Sequence, residues 1–197
     1  MPQQKPEDLD LFSALRSRVE GTLFESRQIF LYGEITQAVA RTVTQNLVAL
    51  ATISSEPITL FVNSQGGHVE AGDTIHDMIR FVDCRVKVVG TGWVASAGAH
   101  IYLATPREDR FSLPNTRYML HQPHGGVWGQ AVDIGIEAQE IVKMRQRLNH
   151  TIARQTGQPI EKVEKDTDRN FWMSAEEAKV YGIVGTILHS SAELAKS

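Results

Sequence analysis

The chain has 197 residues, 42% of them apolar and 22% charged. That balance belongs to an ordinary folded domain and excludes a disordered tail, a collagen-like chain and a disulfide scaffold. Twenty Lys and Arg against 23 Asp and Glu leave a net charge of −3, which argues against a general nucleic-acid binder, and no apolar run approaches the roughly 18 residues of a membrane span.

In chain order, residues 1–8 are polar and include Pro2 and Pro6, which predicts a mobile segment. The N-terminus lacks the apolar core of a signal peptide, so a cytoplasmic, reducing location is the default expectation. Leu9 to Glu20 predicts a short helix. Gln28 to Leu31 reads as a strand stopped by Gly33. Thr36 to Ser54 carries Val39, Val43, Leu47 and Leu50 on one helical stripe. Ile58 to Val62 predicts a buried strand, and Asn63-Ser64-Gln65-Gly66-Gly67 a turn. Val69 to Phe81 is helical by pattern, and Val86 to Val89 is a second buried strand closed by Gly90 and Gly92. The single cysteine, Cys84, sits in apolar company and reads as a small buried hydrophobe.

A helix of small residues follows Ala95 and runs to about Leu103. Tyr118 to His121 predicts a short strand, and Gly125 to Gly129 is glycine-rich. A long helix starts near Ala131, with Ile134, Ala138, Ile141, Leu148 and Ile152 on one face, and ends at Gly157 and Pro159. It lacks a strand partner nearby, so it is expected to project and serve an interface. Ile160 to Lys165 and Ser174 to Tyr181 predict two further helices, the second opened by a capping box of Ser174 and Glu177. Alternating strands and helices indicate an α/β core with parallel strands.

No phosphate-loop or dinucleotide fingerprint is present, and the seven histidines show no metal-ligand spacing. Nucleophile chemistry is better supported. Ser96 lies between a buried strand and a helix of small residues, where its hydroxyl stands near unpaired backbone N–H groups. It reads either as a helix N-cap or as a nucleophile beside an oxyanion site. His121 ends a short strand and faces a glycine-rich segment, which suits either a structural role or acid–base work.

Several segments in order resemble the ClpP family of self-compartmentalised serine peptidases. They are Asn63 to Gly67, Gly92 to Gly98, Phe111 to Asn115, Met119 to Pro123, Gly125-Gly126 with Gly129-Gln130-Ala131, Thr156 to Pro159, and Met173 to Ala178. The resemblance spans about residues 26–188. It implies a crotonase-like α/β superhelix of β-β-α units with a projecting handle helix, assembled into heptameric rings that stack into a closed chamber. It implies Ser96 as nucleophile, His121 as general base and the N–H groups of Gly67 and Ala97 as oxyanion hole. Substrate would lie along Gly66, Val69, His124, Gly125 and Gly126, and Gln130, Asp168 and Arg169 would meet the opposite ring. The implied organisation is an axial N-terminal segment over 1–25, a peptidase domain over 26–192 with a handle near 122–156, and a tail over 193–197.

Two positions depart from the family pattern. Gln65 stands where the family usually has proline, which predicts a looser turn. Asn170 aligns with the aspartate that would complete the triad. Asparagine carries no charge to stabilise an imidazolium, and its amide nitrogen could favour the wrong tautomer of His121. The expectation is a serine endopeptidase subunit that is weak alone and works best in a mixed complex with a second ClpP paralogue. A catalytically inactive structural or regulatory ring subunit is the alternative, and Asp166 or Asp168 could replace Asn170. A crotonase-type acyl-CoA enzyme would share the fold, but the Ser96 and His121 contexts argue against it. The expected partners are further ClpP subunits, in a homo-heptamer, a tetradecamer or a mixed tetradecamer, a AAA+ unfoldase of the ClpX, ClpC or ClpA type, and unfolded proteins. No nucleic acid, membrane, metal or cofactor is expected, because the unfoldase spends the ATP.

Overall fold

The computed structural model describes residues 6–123, 126 and 128–197, so the expectations for residues 1–5, His124 and Gly125 lie outside the described residues. Helix α1 (Pro6–Glu25) leads into strand β1 (Gln28–Ile35). Then follow α2 (Gln37–Ile53), β2 (Ile58–Gly67), α3 (Val69–Phe81), β3 (Val86–Ala95) and the short α4 (Ala97–Tyr102). Strands β4 (Arg110–Ser112) and β5 (Arg117–Leu120) precede the long α5 (Ala131–Thr156). Helix α6 (Ile160–Asp166), β6 (Phe171–Ser174), α7 (Ala175–Tyr181), β7 (Thr186–Ile187) and α8 (Ser191–Ala195) complete the chain. Helix α8 spans the boundary expected between domain and tail.

The sheet runs β1-β2-β3-β4-β7, all parallel. It forks at β3: Val88 to Gly90 pairs with β4, whereas Trp93 to Ala95 pairs with β5. Gly92, at φ 63°, lies between the two pairings. Strand β5 in turn pairs antiparallel with β6. This fork carries one branch of the sheet away from the main layer and creates the site described below.

Local sequence explains the elements. The side chain of Thr36 caps α2 by accepting from the Val39 N–H, and Ala40, Val43, Leu47 and Leu50 form its buried stripe. On β2, Ile58, Leu60, Val62, Ser64 and Gly66 alternate inward with period two. The capping box of Ser174 and Glu177 opens α7 as expected. Gly157, in the left-handed conformation at φ 74°, stops α5. Cys84 is buried against the core, as its neighbours indicated.

Four expectations are corrected. The first helix extends beyond Leu9–Glu20 in both directions. Strand β1 passes through Gly33, which adopts φ 81° within a register shift, and continues to Ile35. Asn63 to Gly67 is not a free turn: it is the end of β2, paired with both neighbours across bulges. Strand β3 likewise does not close at Gly90 but runs to Ala95. In the three strands glycine relaxes the backbone locally instead of ending the strand, because neighbouring strands hold it.

Each of the first ten residues of α5 is on the exposed surface, and the buried residues of this 26-residue helix are Asn149, Thr151 and Ile152 near its end. The helix therefore projects, as its lack of a strand partner suggested.

Candidate active site

Strand β3 delivers Ser96 to the start of α4. Its N–H donates to the Met119 carbonyl at 3.0 Å, extending the β3–β5 ladder by one step. Its own carbonyl accepts from the His100 N–H at 3.1 Å, beginning the helix. To serve both neighbours the residue adopts φ 56° and ψ −122°. A side chain held there costs of order 1–3 kcal/mol and persists only where the surroundings enforce it. The hydroxyl makes no capping bond, so the N-cap alternative for this side chain falls. Instead Ser96 Oγ stands 2.7 Å from His121 Nε2.

His121 follows directly on β5. The antiparallel β5–β6 register pairs Leu120 with Phe171, which sets His121 beside Asn170. Asn170 Oδ1 faces His121 Nδ1 at 3.1 Å. An amide oxygen only accepts, so it selects the tautomer with hydrogen on Nδ1 and leaves Nε2 to accept from Ser96. The wrong tautomer anticipated for an asparagine is therefore not the one this geometry favours. Asp166 and Asp168 do not substitute for Asn170. Asp166 binds Lys162 and the Tyr181 hydroxyl, and Asp168 pairs with Arg145 at 3.3 Å.

Gly66 and Gly67 flank the serine from β2. A Cβ on Gly66 would come within 2.6 Å of Ser96 Cβ, and one on Gly67 within 2.3 Å of the Ile35 carbonyl oxygen. Only glycine permits this approach at φ 100° and 152°. Ser64 fixes the segment by donating to the Gly33 carbonyl at 2.6 Å and accepting from the Gly66 N–H at 3.0 Å. Gln65, oriented as its neighbours dictate, presents its amide nitrogen to Gly33 O and its oxygen to the Glu34 N–H, each at 3.3 Å. Side-chain bonds across the β1 bulge thus hold the position where a looser turn was expected. Ala97 is the first residue of α4, so its N–H has no acceptor within the helix.

Beside Ser96 lies a cavity of about 30 Å³. Val69 walls it from α3, Ala97 and His100 from α4, Leu120 from β5, and Leu148 and Ile152 from α5. His100 escaped the sequence reading, because nothing in its small-residue helix marks it as facing the site. Of the other expected site residues, Gly126 is exposed with open space around it. Gln130 precedes α5, and Asp168 and Arg169 lie before β6 near Arg145. Gln130 is 15 residues from Arg145, about 22 Å along the helix, so one chain does not bring these three together. Among the described residues no cluster of His, Cys, Asp and Glu is arranged to hold a metal, and no helix is long and apolar enough to cross a membrane.

Comparison with known proteins gives one answer. The family profile described as Clp protease matches residues 14–191. "ATP-dependent Clp protease proteolytic subunit 2" of Gluconobacter oxydans is 56% identical over 195 residues, 98% of this chain and 87% of that protein. "ATP-dependent Clp protease proteolytic subunit 3" of Rhizobium johnstonii is 58% identical over 180 residues, 91% and 93% of the two chains. The solved structure of ClpP1 from Listeria monocytogenes superposes with a TM-score of 0.82 at 57% identity, covering 89% of this chain and 99% of that one.

Proposed function

The chain belongs to the Clp protease family of serine peptidases, and we propose that Ser96, His121 and Asn170 form a working but weakened hydrolytic triad in it. The observation that carries this reading is the aligned series Ser96 Oγ, His121 Nε2 at 2.7 Å, and Nδ1 to Asn170 Oδ1 at 3.1 Å. His121 takes the Ser96 proton as Oγ attacks a peptide carbonyl, and then passes it to the departing amine. The backbone N–H groups of Gly67 and Ala97 receive the oxyanion. Water then releases the acyl group by the same route in reverse. Asn170 supplies orientation and the correct tautomer but no negative charge. The imidazolium is therefore less stabilised, and intrinsic activity is low.

An extended substrate would run past Gly66 and Val69 toward the segment containing Gly126, adding as a strand by backbone pairing. The chain would act in a closed particle, alone in rings or together with a second ClpP-type subunit, on unfolded polypeptide delivered by a AAA+ unfoldase in the cytoplasm. Gln130, Asp168 and Arg169 would serve contacts between rings. A purely structural ring is the competing reading, and the engaged serine and histidine weigh against it.

The test is labelling with a fluorophosphonate and cleavage of a short fluorogenic peptide, with Ser96→Ala as control. Labelling of Ser96 and loss of cleavage in Ser96→Ala are expected. A protein that neither labels nor cleaves, alone or with a second ClpP-type subunit, overturns the triad reading.

A further inference from the structure

The branch of the sheet that carries His121 and Asn170 bears a second group of side chains on the same face. Residues two apart along a strand share a face, so Arg117, Met119 and His121 point the same way from β5. The register sets Trp93 of β3 beside Arg117, and Trp172 of β6 beside Met119, two steps before Asn170 meets His121. Trp93, Arg117 and Trp172 therefore stand on the face that ends in the catalytic histidine.

The three side chains form a stack. The Arg117 guanidinium carbon lies 4.4 Å from the centre of the Trp172 ring, and the Trp93 and Trp172 rings are 6.4 Å apart with planes within 13°. The backbone under Trp93 is held in place. Asn63 Oδ1 accepts from the Trp93 N–H at 3.4 Å, and a Cβ on Gly92 would meet that oxygen at 2.8 Å. Trp93 and Arg117 are exposed, whereas Trp172 is half-buried. Stacking occupies the face of a guanidinium and leaves its N–H edge free. Among the described residues no acidic side chain pairs with Arg117 and no acceptor takes its donors. An unpaired surface arginine is ordinary. One fixed on an indole, with a second indole alongside and a catalytic histidine on the same strand face, is a platform for something that the single chain does not supply.

Position and charge indicate what it takes. Four residues of strand separate Arg117 from His121, about 13 Å, and an extended polypeptide covers that distance in about four residues. A chain held at Ser96 can therefore reach the platform without leaving the face. The guanidinium edge calls for a carboxylate, and the indole faces accept apolar groups of many shapes, as a peptidase acting on varied chains requires. We infer that Trp93, Arg117 and Trp172 form an accessory subsite that takes an acidic residue of the polypeptide substrate, about four residues from the cleaved bond. The inference deepens the peptidase reading and rests on it.

The experiment uses extended peptides that share one cleavable bond and differ in a single residue, Glu or Gln, placed about four residues before or after it. They are given to the assembled protein, to Arg117→Gln and to Arg117→Glu. Fluorophosphonate labelling and native mass are measured in parallel. In the unsubstituted protein Glu should raise kcat/KM over Gln by about threefold to fivefold on one side of the bond, the scale of an exposed ion pair. The gain should be carried by KM and should shrink at high salt. Arg117→Gln should bring the ratio to about one, and Arg117→Glu should invert it. Equal cleavage of the Glu and Gln peptides by the unsubstituted protein overturns the inference, and so does a Glu preference that survives in both variants. Each of these results leaves the peptidase reading intact. A fall in the native mass of both variants assigns the platform to a neighbouring copy of the chain and overturns the inference too. An unsubstituted protein that neither labels nor cleaves, alone or with a second ClpP-type subunit, overturns the peptidase reading and this inference with it.

Discussion

His121 meets an amide oxygen where a carboxylate would also supply a charge. The geometry for proton transfer is present, so what the asparagine leaves out is a charge. In a serine protease triad, changing that aspartate to asparagine lowers kcat by about 10⁴, part of it through the wrong tautomer. Here the tautomer is already favourable, so Asn170→Asp should raise peptide cleavage by roughly tenfold or more but fall short of that full factor. Steady-state kcat of the two proteins measures it, and no rise would place the limiting defect elsewhere. Gly66 makes an independent case. A Cβ there would strike Ser96 Cβ at 2.6 Å, in a backbone conformation at φ 100° that side chains rarely adopt. Gly66→Ala should therefore displace the serine and lower the fluorophosphonate labelling rate by about 100-fold or more, the scale of losing one element of a preorganised site.

Between elements, α3 and α4 meet through the stacked imidazoles of His76 and His100. Burial, followed by the neighbouring His100, pushes the His76 pKa down from 6.5 to about 4. The native state thus keeps His76 neutral where the unfolded chain protonates it. The stabilisation is complete above pH 6.5, declines as the pH falls, and is lost by about pH 4. At about 1.4 kcal/mol per pH unit this amounts to roughly 3 kcal/mol. Denaturant unfolding at pH 7 and pH 4.5 should show it, and His76→Gln should flatten the difference. An equal pH dependence in the variant would show that other groups carry it. The helices around this pair were legible in the sequence, because α2, α3 and α5 each repeat apolar residues at helical spacing. Strands β4, β6 and β7 were not. They are two to four residues long and exist only because a neighbouring strand supplies their hydrogen bonds. Asn170 illustrates the consequence. Its place beside His121 depends on the β5–β6 register, so only the resemblance to a family, and no local pattern, pointed to it. The contact of Asp73 with His100 and Arg147 joins three helices and left no signal in the spacing of any one of them.

For the molecule as a whole, the exposed start of α5 is the feature that a single chain leaves unfinished. Ile134 is 41% exposed, although it begins the stripe that ends in the buried Ile152. Val132 and Ile136 are 74% and 54% exposed. At 100° per residue, Ile136 lies about 160° round the axis from Ile134, so the projecting segment is apolar on two sides. A surface helix of one chain needs one apolar stripe, and a second demands a second partner. That requirement fits an element inserted between subunits of a particle. Each Val or Ile so buried contributes about 1.5–3 kcal/mol, and the gain is repeated at every copy of a symmetric interface. Replacing Val132 and Ile136 together with Ser should therefore convert the particle proposed above into smaller species, while the fold of the subunit persists because neither side chain enters its core. Native mass and far-ultraviolet circular dichroism of the double variant test this together. A particle of unchanged mass would assign these two side chains to solvent and move the proposed contact between subunits elsewhere on the chain.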